Sequence, residues 1–172
     1  MRLVAEERRG GTLETVFTAP VGETTFILAK YTSAMIFVVF LLAFTLWFVI
    51  LTGRTSAIDV KATITGYIGL LLLSSAVISV GLFVSTLSPN QVVAGILTLA
   101  IALVLILVHV WPQRPGEEIS TVRKVLLSIG LITNTYPMFN GILDSRNVIY
   151  LLSFTFFFNF LSIKFLKVRR LI

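Results

Sequence analysis

Cysteine is absent from the 172 residues, which excludes disulfides, thiolate metal sites and thiol nucleophiles. Charge is scarce as well. Only 13% of residues are charged, where a soluble domain carries about 25%. The few charges are kept out of long blocks: none falls within 31–53, 62–113, 125–143 or 147–163. Acid–base or metal chemistry therefore has little to work with, and His109 is the single histidine. What is present is apolar bulk, 56% of residues, with a mean hydropathy of +0.97. A helix that crosses a bilayer needs about 20 apolar residues, so these blocks read as membrane spans. The expected class is an all-α integral membrane protein.

A net charge of +6 can signal nucleic acid. Here the basic residues flank apolar blocks, where they fix orientation instead, so no nucleic-acid partner is expected. The cluster Lys164, Lys167, Arg169 and Arg170 places the C-terminus in the cytoplasm by the positive-inside rule. The start does not read as a signal peptide, because Glu6 and Glu7 stand where an apolar h-region would begin. The spans hold essentially no charge beyond Lys30 and Lys164 at their ends, which argues against an ion-coupled carrier.

Four spans are expected, at about 26–51, 63–87, 89–110 and 148–166, and with four the N-terminus is cytoplasmic too. The first ends at Thr52-Gly53-Arg54. The second is dotted with small residues (Gly66, Gly69, Ser74, Ser75, Ala76, Ser79, Gly81), which let helices approach closely in lipid, so it reads as the packed inner helix. Ser88-Pro89-Asn90-Gln91 divides the second span from the third, with Ser88 as N-cap and Gln91 as its capping-box partner. Trp111 and Pro112 mark an interfacial end. Residues 119–143 read as an extracytoplasmic helical hairpin that lies on, or dips into, the membrane, because Gly130, Asn134, Pro137, Asn140 and Gly141 interrupt it. A fifth full span there is the alternative. Asp144 caps the helix that enters the last span and Arg146 anchors it at the outer interface, with a substrate gate there as the alternative. The phenylalanines at 154, 156, 157, 158 and 160 read as lipid-facing bulk.

The opening stretch 1–25 is too polar to span. Within it, "EERRGGTLETVFTAP" starts with four charges, Glu6, Glu7, Arg8 and Arg9, and Gly10-Gly11 breaks any helix they begin. Thr12 can cap a new short helix, with Glu14 in its first turn near the positive end of the dipole. Leu13, Val16 and Phe17 share one apolar face, and Pro20 stops the helix. Two readings stay open on physical grounds: a helix lying in the headgroup region, or a knob that fits a partner's groove.

The stretch "EERRGGTLETVFTAPVGETTFILAKY" resembles the cytoplasmic motif of ATP-binding-cassette permeases of the type-2, export class. The carrying residues are Glu6-Glu7-Arg8-Arg9, Gly11-Thr12-Leu13-Glu14, Pro20-Val21 and Lys30. "GYIGLLLLSSAVISVGLFVSTLSPNQVVAGILT" resembles that family's inner hairpin, and "FNGILDSRNVIYLLS" the stretch that enters its last span. The nearest branch is the one that includes gliding-motility-associated and copper-processing-associated permeases. The resemblance implies that residues 6–20 form a coupling helix on a separate ATPase, since the sequence has no G-x-x-x-x-G-K-[ST] phosphate loop. ATP–Mg and its hydrolysis would belong to that partner, leaving this chain without cofactor or enzymatic activity of its own. It further implies a second permease copy, an inner-membrane location, export of a substrate the sequence does not name, and a permease of six spans of which the first two are not represented here. The alternative function is a non-transporting membrane anchor for a cytoplasmic partner.

Within the membrane domain, 26–172, no catalytic constellation emerges. His109 beside Trp111 reads as an interfacial side chain rather than a ligand. Thr65, Ser74, Ser75, Ser79, Ser85 and Thr98 read as partners in interhelical hydrogen bonds, with a polar path through the bundle as the alternative.

Overall fold

The computed structural model describes residues 22–88, 90–110 and 127–170. All regular structure among them is helical. The elements are α1 (Glu23–Thr55), α2 (Val60–Leu87), α3 (Gln91–Leu107) with a 3₁₀ turn at Val108–Val110, α4 (Leu131–Phe139) and α5 (Ser145–Arg170). Three of them, α1, α2 and α5, are long and apolar enough to cross a membrane. The α3 helix is shorter, at 17 residues. It spans about 25 Å at 1.5 Å per residue, against a hydrocarbon core of about 30 Å.

The α2 helix sits at the centre and packs against α1, α3, α4 and α5. Half of its apolar window is buried, against none of that of α1. Small residues make this possible: Gly69, Ser75, Ala76, Ser79, Gly81 and Ser85 are all buried. Leucine-like bulk gains little from burial when the alternative is a lipid tail, so close van der Waals contact and hydrogen bonds hold such a seam together. The inner-helix expectation for this segment therefore holds.

Three apolar clusters fix the directions of the helices. Phe26 and Ile27, from the first turn and a half of α1, pack with Leu82 near the end of α2 and Leu166 near the end of α5. Val80 and Val84 meet Ala94 at the start of α3. Ala76 meets Leu131 at the start of α4 and Leu151 in the second turn of α5. Hence α1 and α3 run antiparallel to α2, and α5 runs parallel to it. The start of α1, the α2–α3 turn and the end of α5 all lie at one end of the bundle.

Several boundaries differ from the sequence reading. The α1 helix continues through Gly53 to Thr55. The hydroxyls of Thr52 and Thr55 bond back to the carbonyls of Phe48 and Thr52, and the Ser56 N–H closes on Thr52 O. A lone helix glycine costs only about 1 kcal/mol, which these contacts offset. The α2 helix begins three residues early, because Asp59 caps it by accepting from Lys61 N and Ala62 N. Ser88 is not the N-cap of α3. Asn90 is, accepting from Val92 N at 3.0 Å, while Ser88 ends α2 and donates to Asn90 O. Pro137 does not break α4 but lies inside its last turn. Asp144 caps α5 as expected, accepting from Arg146 N at 2.9 Å.

Candidate functional site

The coupling residues named from sequence (Glu6, Glu7, Arg8, Arg9, Gly11, Thr12, Leu13, Glu14, Val16, Phe17 and Pro20) lie outside the described residues, as do Pro89, Trp111, Pro112 and the 119–126 part of the surface hairpin. What is described is the seat into which the opening stretch leads. Gly22 caps α1 with its backbone only, and Phe26 N bonds Gly22 O at 3.1 Å. One turn on, the Lys30 ammonium lies 5.7 Å from the Phe26 ring centroid. Phe26 and Ile27 anchor this root of α1 against Leu82 and Leu166. Beyond it, most α1 side chains are exposed, among them Phe37, Phe40, Phe44, Trp47 and Phe48. So α1 is held at its root and along one narrow stripe, with an exposed Thr45–Tyr67 hydrogen bond of 2.8 Å further out.

Inside the bundle a chain of hydroxyls joins three helices. Tyr31 Oη is 2.6 Å from Ser75 Oγ, and Ser75 Oγ is 3.0 Å from Thr155 Oγ1. The Thr155 hydroxyl also lies 2.9 Å from Leu151 O, a pure acceptor. That contact sets the direction: Thr155 donates to Leu151 O, Ser75 donates to Thr155, and Tyr31 donates to Ser75. One turn further along α5, Asn159 donates through Nδ2 to Thr155 O, yet its buried Oδ1 has no partner. An unpaired buried acceptor is uncommon in proteins. Ser79, Thr98 and Ser162 are buried too, but each donates to a carbonyl of its own helix. Of the polar residues named from sequence, Ser75 and Thr65 thus form interhelical bonds, and Ser79 and Thr98 do not.

The second feature is α4, a half-length helix wedged against the N-terminal half of α2. Gly69 makes the space: a Cβ there would come within 3.1–3.3 Å of Met138 and Thr135. The Thr65 hydroxyl lies 2.7 Å from Met138 O. Where the chain breaks at Gly130, side chains satisfy the freed carbonyls. Asn134 Nδ2 donates to Ser128 O and Gly130 O, and Tyr150 donates to Ile129 O at 2.7 Å. The turn that closes α4 uses Gly141 at φ +81°, against the backbone of Ala62. His109 at the end of α3 sits 3.3 Å from Thr133 Oγ1 and against the Tyr136 ring, so it bridges α3 to α4.

The sequence reading did not single out Tyr31, Thr155 or Asn159. The available signal was a polar side chain within an apolar span, which is uncommon enough to mark a helix contact or a site.

Comparison with protein-family models matches residues 1–109 to the family described as ABC-2 family transporter protein. Neither the curated proteins nor the solved structures yielded a match. The matched span is more than half of the chain and includes the opening motif, α1, α2 and all of α3. Together with three apolar helices of spanning length, this makes the protein a multi-pass membrane permease that belongs to the ABC-2 family of ABC transporters.

Proposed function

We propose that this chain is an export permease subunit driven by a separate ABC ATPase, and that residues 6–20 are the element the ATPase grips. The family match carries the reading, because it spans both the opening motif and the helices that follow it. In this account Leu13, Val16 and Phe17 form the apolar ridge that enters the partner's groove. Glu6, Glu7, Arg8 and Arg9 flank it with charge, and Gly11, Thr12, Glu14 and Pro20 set its start and stop. The bundle end that holds Gly22, Asn90 and Arg170 faces the cytoplasm of the cell's inner membrane, in keeping with Lys164, Lys167, Arg169 and Arg170. The α3 helix with its 3₁₀ turn serves as the third of four spans: three 3₁₀ residues add about 6 Å, bringing its reach to about 31 Å. The α4 helix is the re-entrant arm on the opposite side. A second permease copy completes the translocation path. The branch favoured by the motif is the gliding-motility and copper-processing group.

The packing supports a transmission route. Displacing residues 6–20 moves the root of α1, where Phe26 and Ile27 press on the ends of α2 and α5. The Tyr31–Ser75–Thr155 chain passes the same displacement deeper into the bundle. For ATP to drive the cycle, its bound and hydrolysed states must contact the coupling element with different free energies. The test is co-purification. Leu13→Asp or Phe17→Asp should abolish capture of the ATPase while membrane insertion persists. Undiminished capture by both variants would defeat the docking reading.

A further inference from the structure

The exposed face of α5 is a continuous ridge. Leu152, Ser153, Phe156, Phe157 and Phe160 line a shallow groove of about 480 Å³. The same face continues to Lys164 and Lys167, because residues at spacings of three and four share a helix side. The Lys164 ammonium lies 5.4 Å from the Phe160 ring centroid, at the end of the groove. Lys167 is exposed one turn beyond, and α5 contains no Asp or Glu to neutralise either lysine. An apolar face that ends in two cations with no carboxylate on its own helix matches an anionic amphiphile. From Leu152 to Lys164 the helix rises about 18 Å. One leaflet of hydrocarbon is about 15 Å deep, so the length suits one acyl chain with its headgroup at the lysines.

We propose that this ridge binds one anionic phospholipid, with an acyl chain along Leu152, Phe156, Phe157 and Phe160 and the phosphate held by Lys164 and Lys167. The phenylalanines supply dispersion contacts, and the lysines select for charge. The site stands apart from the coupling reading, because it requires only that α5 face lipid.

The purified full chain in neutral detergent is titrated with phosphatidylglycerol or phosphatidylcholine, and bound lipid is counted by native mass spectrometry. Each lysine near an anionic headgroup is worth about fivefold in affinity. Lys164→Gln should therefore weaken phosphatidylglycerol binding by about fivefold, and Lys164→Gln with Lys167→Gln by more than tenfold. Phosphatidylcholine binding should stay unchanged, which also reports that the variants are folded. Equal binding of the two lipids by the parent chain, or unchanged phosphatidylglycerol binding by the double variant, would overturn the site. A Phe157→Cys chain that oxidises to a disulfide-linked dimer would overturn it too, since a second copy would then cover the ridge. Phe157→Cys that stays monomeric on oxidation supports it.

Discussion

Removing the middle of the hydroxyl chain should cost more than removing its head, and more than removing both. Tyr31→Phe deletes the first donor. Ser75 still donates to Thr155, which still donates to Leu151 O, so one bond is lost. Such bonds inside membranes average about 0.6 kcal/mol. Ser75→Ala deletes two bonds, about 1.2 kcal/mol, and strands the half-buried Tyr31 hydroxyl; a donor left unpaired where lipid offers no partner adds about 1 kcal/mol. Tyr31→Phe with Ser75→Ala loses the same two bonds but strands nothing, so it should fall back to about 1.2 kcal/mol. The double variant is thus more stable than Ser75→Ala alone, by about 1 kcal/mol. The assay is reversible unfolding of the full chain in mixed micelles across this four-member cycle. Additive effects, with the double variant the least stable of the four, would refute the directed chain and leave the three hydroxyls as independent contacts.

Two further changes probe the bundle interior. Gly69→Val should unseat α4, because even a Cβ at that position presses on Met138 and Thr135; a stability loss of about 1–3 kcal/mol is expected from overpacking, read by unfolding, together with faster proteolysis near Gly130. Asn159→Leu should stabilise the chain in the same unfolding assay, since it removes the buried, unpaired Oδ1 and gives up only a bond to the carbonyl of its own helix. A gain of about 1 kcal/mol is expected, and a loss of that size would mean that Oδ1 has a donor in the assembled membrane protein.

Class, the central helix and the turns near 56–59 and 88–90 were legible in the sequence because lipid imposes simple rules. Charge must leave the spans, and the helix that is packed on all sides must be made of small residues, as Gly69, Ser75, Ala76 and Ser79 show. Boundaries were less legible. Gly53 looked like a stop, but threonine hydroxyls and a continuing ladder carried the helix past it. Ser88 and Asn90 are both good caps by type, and only the path of the chain decided for Asn90. Pro137 looked like a breaker, but it stands in the last turn of α4, so the missing N–H and the kink it imposes fall where the helix already ends at Phe139. The hydroxyl chain was hidden because its members lie 44 and 80 residues apart along the chain. The phenylalanine run also divided: Phe156, Phe157 and Phe160 are exposed, while Phe154 and Phe158 pack on the Val80–Val84–Ala94 cluster.

The central claim is that the amphipathic tip before Pro20 faces the compartment where ATP is hydrolysed. The chain has no cysteine, so Thr12→Cys creates a single labelling site without further substitution. A membrane-impermeant maleimide should modify it in inside-out vesicles and leave it untouched in intact cells. Modification in intact cells, with protection in inside-out vesicles, would contradict the account.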